Sequence, residues 1–371
     1  MGTGHSAAER ASDAAMTPAV RPEAELGGAA GSGPTMRAVG IRRYGPPEAL
    51  TELEVERPHP APAHVLVRVA AAGVNPADCL LRSGRLRFAA RQKMPFVPGA
   101  DVAGLVEEVG ADVTRFRVGD PVYAMLPNTA GGGYAEYAVA AEDTVALVPS
   151  SLTLSEAAGV PLAALTALQA LRDQANLTAG DHLLVNGASG GVGTFAVQIA
   201  QAIGATVTAV TSGRNTEVAR ELGADEVLDY TRDDITDGGA RYDVVLDGAN
   251  VLPFRKARRI LKTDGVFVTV NPILGRLSPS WLARFRDGKR IRSVLVEPDG
   301  TDLEALGTWI ASAKLRPVIE RTYPLSDAEI AHRRSESRRV RGKLVLVVNA
   351  HLAHSTPATA PLHNIATDVE P

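Results

Sequence analysis

Cysteine is almost absent from this sequence. Among the 371 residues the only cysteine is Cys79. A disulfide framework within the chain is therefore impossible, and this pattern favours a cytoplasmic location, where thiols stay reduced. Zinc sites built from several thiolate ligands are excluded by the same count.

A strong charge of either sign is also lacking. The net charge is −3, so the chain has no general attraction to nucleic acid or to an anionic membrane. The first 35 residues have no apolar core and carry four acidic residues, which argues against a secretory or organelle-targeting segment. The long span from His182 to Gly213 has few charges, but amides and glycines interrupt it. It therefore predicts a buried soluble unit rather than a membrane helix.

The most informative stretch runs from Asp181 to Asn215. A short apolar run is followed at once by glycines at 187, 190, 191 and 193, and then by apolar residues at helical spacing. Gly204 suits the left-handed cap that ends such a helix, and Thr206 to Val210 is a β-branched strand candidate. The pattern predicts a strand, a glycine turn, a helix and a second strand.

Glycines in this context are typical of a dinucleotide site. They allow a sharp turn, a close approach of the backbone to a pyrophosphate, and tight packing of the helix on the sheet. The phosphates would rest on the free N–H groups at the helix N-terminus, where the helix dipole favours negative charge. The alternative is an ordinary βαβ unit with a glycine-rich turn. The strand and helix on either side favour the dinucleotide site.

The second strand indicates which dinucleotide is bound. An NAD site usually offers an acidic side chain to the ribose hydroxyls about twenty residues past the glycines. No acidic residue occurs between Asp181 and Glu217, and the strand ends in Thr211, Ser212, Gly213 and Arg214. A hydroxyl and a guanidinium suit a 2′-phosphate, so we expect NADPH rather than NADH.

Strand and helix patterns divide the chain into two kinds of structure. Short strands with frequent Gly and Pro turns follow Met36 and predict a barrel-like β domain. Strands alternating with helices follow residue 156 and predict a doubly wound parallel sheet, which makes the fold class α/β. The predicted parts are disordered arms, a first domain that the chain enters twice, and a nucleotide-binding domain between its two segments. Their bounds are 1–35 and 351–371 for the arms, 36–155 and 298–350 for the first domain, and 156–297 for the nucleotide-binding domain.

Seven stretches between Met36 and Val348 carry a family resemblance: Tyr44–Glu48, Gly73–Asp78, Pro98–Gly104, Phe116–Asp120, Gly187–Gly193, Leu222–Tyr230 and Arg341–Val345. Together they resemble the medium-chain dehydrogenase/reductase superfamily, in its zinc-free quinone oxidoreductase branch. The glycine run is most similar to the NADPH oxidoreductases of the reticulon-4-interacting type. The resemblance implies a GroES-like β-barrel interrupted by a Rossmann domain, with NADPH in the cleft between them.

The resemblance also implies site residues. Ser189, Gly190, Gly191 and Val192 would hold the pyrophosphate. Ser212 and Tyr230 would lie at the 2′-phosphate, where the residue argument above adds Arg214. Asn271 would lie near the nicotinamide, and Arg341 would reach the cofactor from the returning C-terminal segment. As a set, the predicted cofactor residues are Ser189, Gly190, Gly191, Val192, Ser212, Arg214, Tyr230, Asn271 and Arg341.

Residue types argue against a metal. Zinc alcohol dehydrogenases place a cysteine-containing ligand motif where this chain has Gly73, Val74 and Asn75, and Gly-His-Glu where it has Gly99, Ala100 and Asp101. Without a metal to polarise a carbonyl, we expect hydride transfer to an electron-poor small molecule, either a quinone or a conjugated enone. Asn75 is the predicted catalytic residue, as a hydrogen-bond donor to the acceptor oxygen. The alternative for Asn75 is a structural asparagine in a turn.

Other functions and partners remain open at this point. One alternative is an enoyl reductase or a tailoring reductase of a biosynthetic pathway. Many relatives carry a tyrosine after the Asn75 motif, and this chain has no tyrosine there, which argues against protonation of the product by the protein. Another is an NADPH-binding regulatory protein with little turnover. We interpret Arg82, Arg85 and Arg87 as a solvated basic face, with attraction of an anionic substrate as the alternative. Cys79 is interpreted as a packed thiol. Relatives in this branch commonly pair Rossmann sheets, so we expect a homodimer through a strand at Ile291–Val296, with Val294 in its interface.

Overall fold

The computed structural model describes residues 33–88, 90–127, 129–271 and 288–357. From Pro34 onward the chain forms one compact unit. Most of the two predicted arms therefore lies outside the described residues. The predicted start of the second arm, residue 351, is wrong. A short helix covers Ala350–Ala353 because the Asn349 side chain caps it, and two of its apolar residues are buried.

Seven strands form in the part of the chain that the structure describes before residue 150. Strand β3 is central to them, because it pairs antiparallel with β4 on one side and with β6 along its first half. Its valines at positions 65, 67 and 69 are buried, as the alternating pattern predicts. The strands are β1 Thr35–Gly40, β2 Thr51–Glu56, β3 His64–Val74, β4 Asp101–Val109, β5 Pro121–Met125, β6 Tyr137–Ala141 and β7 Val145–Leu147.

A six-stranded parallel sheet follows. Its order is β10-β9-β8-β11-β12-β13, so the chain starts in the middle, moves to one edge and then crosses to the other. This is the doubly wound arrangement predicted from the alternation of strands and helices. Its strands are β8 His182–Asn186, β9 Thr206–Thr211, β10 Glu226–Asp229, β11 Tyr242–Asp247, β12 Leu261–Thr269 and β13 Arg290–Ser293.

The chain then returns to the first sheet, as predicted. Strands β14, Ile319–Pro324, and β15, Lys343–Val347, pair with each other in parallel, and β15 pairs antiparallel with β3. The resulting sheet has the order β14-β15-β3-β4-β5-β7. The domain bounds at residues 156 and 297 stay predictions, because the two sheets belong to one compact unit.

The helices connect and cover these sheets. Among the described residues, the α-helices are α1 Pro76–Arg82, α2 Leu154–Ala157, α3 Pro161–Gln169, α4 Gly191–Ile203, α5 Thr216–Glu221, α6 Phe254–Ile260, α7 Gly300–Ala311, α8 Ala328–Glu336 and α9 Ala350–Ala353. Short 3-10 turns cover Pro47–Ala49, Glu142–Thr144, Gly213–Asn215 and Leu325–Asp327, and a π turn covers Ala170–Gln174. Helix α4 ends at Gly204, whose φ of +93° is the predicted left-handed cap.

Two predicted elements differ from the structure. The apolar run Ala157–Leu171 predicts one buried helix, but the helix is broken before Pro161. Proline lacks the N–H of a helix interior and favours the first helical position. The expected edge strand does lie at the edge of the parallel sheet, but it stops at Ser293. Val294 is 4% exposed and donates its N–H to Thr269 within the chain. The prediction that Val294 lies in a dimer interface is therefore wrong, because its side chain already packs in the core.

Candidate active site

The turn after β8 has the geometry expected of a phosphate-binding loop. Gly187 has a φ of +82°, which only glycine adopts readily. A methyl group added at Gly193 would lie 2.2 Å from the Gly187 carbonyl oxygen, so the helix packs directly on the turn. Gly190 precedes α4 in an extended conformation, and no side chain caps this helix end. The first N–H groups of α4 are thus offered to an anion, and these residues fit the pyrophosphate of a dinucleotide.

All four residues predicted for the pyrophosphate line one cleft of about 1960 Å³, a volume large enough for a dinucleotide and a substrate together. The Ser189 hydroxyl accepts hydrogen bonds from Thr211 Oγ1 at 2.9 Å and from Asn215 Nδ2 at 3.1 Å. Asn215 also reaches the Ser212 hydroxyl at 3.4 Å. Sequence reasoning missed Asn215 as a member of the site. Its position at the start of α5 was the available signal.

The end of β9 and the end of β10 form the far part of the cleft. Ser212, Arg214 and Tyr230, all predicted for the 2′-phosphate, line it. An acidic residue that sequence spacing did not reveal lies beside them. Asp229 accepts the Thr231 hydroxyl at 2.8 Å and N–H at 3.0 Å. These hydrogen bonds, the Thr231 side chain first, hold the pKa of Asp229 below its usual value.

Two predicted cofactor residues lie outside the lining of this cleft. Asn271 follows β12, where its N–H donates to Thr269 Oγ1 at 3.2 Å and its carbonyl accepts from Ser293 at 2.7 Å. Val270 lines the cleft beside it. Arg341 is exposed and its N–H donates to Glu320 at 2.7 Å, whereas the next two residues, Gly342 and Lys343, line the cleft. The geometry thus gives no support to contacts by the side chains of Asn271 and Arg341.

Asn75, the predicted catalytic residue, belongs to a buried group of three side chains. Its Nδ2 donates to Asp101 Oδ2 at 2.9 Å, and its Oδ1 accepts from the ammonium of Lys343. Lys343 Nζ lies 2.9 Å from the same Asp101 oxygen. The other Asp101 oxygen accepts the Leu162 N–H at 2.7 Å. Sequence reasoning missed Lys343 and Asp101, although both stand in motifs that carried the family resemblance.

A second buried network lies behind α1. Asp78 Oδ2 accepts the Asn75 N–H at 2.8 Å, so Asp78 caps the helix as a scaffold residue. Tyr134 donates to Asp78 at 3.3 Å, and its hydroxyl lies 3.0 Å from His332 Nε2. Burial raises the pKa of Asp78 to about 7. Burial, and next the nearby Arg82 charge, lower the pKa of His332 to about 3. Both groups are therefore biased toward their neutral forms.

The three arginines interpreted as a basic face have different surroundings. Arg82 is 1% exposed and forms an ion pair with Glu336 of α8, so its assignment to a solvated face is wrong. A charge this deeply buried requires an ionic partner, and Glu336 lies far along the chain. Arg85 is exposed and lines the cleft, and Arg87 is exposed beside the ring of Phe88. Cys79 is buried, and burial raises its pKa to about 12, which makes it a packed thiol rather than a nucleophile.

Comparison with known proteins identifies the family. Residues 61–150 match the alcohol dehydrogenase GroES-like domain, and residues 222–346 match a domain described as zinc-binding dehydrogenase. The chain is 35% identical over 326 residues to the chloroplast envelope quinone oxidoreductase homolog of Arabidopsis thaliana, covering 85% of this chain and 99% of that protein. The chain belongs to the medium-chain dehydrogenase/reductase superfamily.

Two further similarities place this superfamily member among oxidoreductases. The mitochondrial NAD(P)H oxidoreductase RTN4IP1 of Mus musculus is 34% identical over 325 residues, covering 77% of this chain and 82% of that protein. The structure of the quinone oxidoreductase from Coxiella burnetii superimposes with a TM-score of 0.76 at 32% identity, covering 85% of this chain and all of that one. The GroES-like and α/β parts predicted from sequence are thereby confirmed. The protein is an oxidoreductase that uses a nicotinamide cofactor.

The donor set does not fit the zinc named in the description of the matched domain. Within the described residues, no group of three or more His, Cys, Asp or Glu side chains is arranged to hold a metal ion. Ala100 offers no ligand atom, and the Lys343 ammonium already occupies Asp101. Among the same residues, no helix is long and apolar enough to span a membrane.

Proposed function

We propose that this dehydrogenase/reductase is a zinc-independent, NADPH-dependent oxidoreductase that reduces a quinone or a conjugated enone. One observation carries the proposal: a single cleft joins the phosphate-binding loop to the buried group Asn75, Asp101 and Lys343. When bound, the nicotinamide supplies a hydride. The chain's own residues bind the dinucleotide, position the acceptor and place a positive charge beside it.

The contacts at the adenosine end support NADPH over NADH. Arg214 lines the cleft and is exposed, which suits a charge-assisted bond to a 2′-phosphate. Asp229 is the nearby acid that could bind ribose hydroxyls instead. Its carboxylate accepts bonds from Thr231 and from the Gly213 N–H, so the protein itself already uses it. An Asp engaged in this way competes poorly for the ribose of NADH.

The same residues support zinc independence and an electron-poor acceptor. A lysine ammonium and an amide lie where a metal would need anionic or imidazole ligands. A fixed charge of this kind stabilises a developing oxyanion, but it polarises an unactivated carbonyl less than a metal does. The apolar part of the cleft, which includes Leu80, Leu86 and Leu295, suits a ring or an alkyl chain.

A second candidate, an enoyl thioester reductase, is favoured by one feature of the cleft. Arg85, Arg338 and Arg339 are exposed and line it. A phosphate-bearing thioester carrier would find several cations there. These arginines do not favour a regulatory protein without turnover over an enzyme. The test below decides that alternative.

The test is a stopped-flow screen of NADPH oxidation with quinones, enals and enoyl thioesters, run with and without a chelator. We expect turnover with at least one class of acceptor and no effect of the chelator. Rapid turnover restricted to thioesters would select the second candidate. Tight NADPH binding without turnover on any acceptor would select the regulatory protein, and activity lost to the chelator together with one zinc per chain would refute zinc independence.

One edge strand and the single cysteine bear on the assembly and the location of the protein. Strand β13 forms an edge of the parallel sheet, and a twofold pairing of two such edges would cover its unpaired backbone groups. We therefore propose a homodimer. A cytoplasmic location is proposed from the single buried cysteine.

A further inference from the structure

Lys343 has an unusual position for a lysine. Its side chain is 4% exposed and its ion-pair partner, Asp101, is fully buried. Two acceptors, Asn75 Oδ1 and Asp101 Oδ2, hold its ammonium, which has three donors. Lys343 also lines the cleft, so one N–H remains available for a bound molecule.

The backbone beside Lys343 fixes the ammonium between the two halves of the cleft. The N–H of Gly342 donates to the Ser189 carbonyl of the phosphate-binding loop at 2.8 Å. A methyl group added at Gly191 would lie 3.1 Å from Lys343 Cδ, so the lysine stem packs against the start of α4. The stem therefore lies at the dinucleotide loop, and the ammonium points to Asn75, which follows strand β3 of the first sheet.

The surrounding contacts fix the direction of the Lys343 ammonium. Asp101 accepts three hydrogen bonds, from Leu162, Asn75 and Lys343. An ammonium is a strong hydrogen-bond donor to negative charge. Buried ion pairs contribute little to stability on balance, so stability alone does not account for this pair inside a cleft.

We propose that Lys343 is the catalytic cation of this oxidoreductase: its free N–H stabilises the negative charge that forms on the acceptor oxygen during reduction. Asn75, predicted as that donor from sequence, and Asp101 are positioning residues that hold the ammonium. Hydride addition brings two electrons and leaves one negative charge on the acceptor oxygen. Lys343 keeps its proton, and water in the cleft protonates that oxygen afterwards. This inference rests on the proposed function.

The first test compares the wild type with Lys343→Met over a series of quinones of decreasing electron affinity. Removing one preorganised donor to an oxyanion lowers kcat by about 100-fold or more. We expect this loss to grow as the acceptor becomes poorer, because more charge then needs stabilisation, while the NADPH dissociation constant stays within about threefold of the wild type. Lys343→Arg should recover part of the rate. Lys262→Met is the matched control, because Lys262 pairs with Asp243 at 2.7 Å and does not line the cleft.

A second measurement does not depend on turnover. A nitrophenol bound in the cleft of the enzyme with oxidised cofactor should ionise at lower pH than the free compound, and its absorbance reports this directly. Lys343→Met should abolish the shift. Because that variant leaves Asp101 uncompensated, the double variant Lys343→Met/Asp101→Asn is also measured. It should restore the melting temperature but neither the rate nor the nitrophenol shift.

Each outcome decides between the explanations. The role of Lys343 would be overturned if the wild type reduces acceptors and Lys343→Met either keeps the full rate or loses rate by the same factor with every acceptor. The proposed function would then stay intact. Recovery of the rate in the double variant would show that Lys343 only balances the charge of Asp101. A wild type without turnover on any acceptor would overturn both proposals.

Discussion

Asp78 and His332 should make opposite contributions to the pH dependence of stability. They lie on either side of the Tyr134 hydroxyl, at 3.3 Å and 3.0 Å, and both are buried. Burial raises the pKa of Asp78 to about 7, against about 3.9 for an unfolded aspartate. Burial lowers the pKa of His332 to about 3, against about 6.5 when unfolded.

The two groups change the free energy of unfolding in opposite directions as pH rises. Below about pH 4, Asp78 is protonated in both the folded and the unfolded chain, and the stability present there is lost as pH rises through about 7. For His332 the stability is present above about pH 6.5 and is lost as pH falls through about 3. Each slope reaches about 1.4 kcal/mol per pH unit, so in the wild type the two slopes cancel between about pH 4 and 6.5.

Asp78→Asn should expose the histidine slope. The difference in the free energy of unfolding, variant minus wild type, should rise by about 3 kcal/mol between about pH 4 and 6.5, whatever its absolute value. His332→Gln should give a difference that falls by a similar amount over the same window. Urea unfolding in a series of buffers measures both differences.

Asp234→Asn serves as the control for this experiment. Asp234 is exposed, and hydrogen bonds from Thr236 lower its pKa, so it stays ionised across the window and its difference should be flat. A flat difference for Asp78→Asn as well would show that the Asp78 carboxyl is ionised in the fold. The argument that burial controls this network would then be refuted.

Three further predictions address the cofactor, the loop and the assembly. Arg214→Ala should raise the NADPH dissociation constant by roughly tenfold, from the loss of about 1.5 kcal/mol, and leave NADH binding nearly unchanged; equal effects measured by fluorescence titration would exclude a 2′-phosphate contact. Gly193→Ala should lower both the melting temperature and NADPH affinity, because the methyl group would lie 2.2 Å from the Gly187 oxygen, and a wild-type melting curve would contradict this. Light scattering should find a dimer at micromolar concentration, and a monomer there would refute pairing through β13.

Local signals in the sequence predicted the elements that local chemistry determines. The apolar and β-branched residues within Glu226–Asp229 and Tyr242–Asp247 predict strands over these two ranges, and β10 and β11 begin and end there. The glycine turn and the cap at Gly204 follow from backbone requirements that glycine alone satisfies. The break before Pro161 carried a local signal as well, but the apolar composition on both sides concealed it.

The contacts that complete the site could not be predicted in this way. Lys343 and Asp101 are 242 residues apart, and Arg82 and Glu336 are 254 apart. In both pairs, the residues next to each partner in the sequence do not indicate the pairing. A solvated basic face was therefore a reasonable expectation for Arg82. Val294 was misassigned for a related reason: an apolar residue at an edge strand can face a partner chain or its own core, and only the tertiary packing decides.

The return of the chain to the first sheet explains why these distant residues meet. Gly342 has a φ of +70°, and a methyl group there would lie 2.0 Å from the Val318 carbonyl oxygen, so only glycine fits at the position directly before strand β15. Its N–H bonds to Ser189 of the dinucleotide loop, and the next side chain, Lys343, bonds to Asn75 and Asp101. One backbone position thus places the cofactor loop and the buried cation side by side. A substitution at Gly342 would disturb both together, which distinguishes it from any change confined to one half of the cleft.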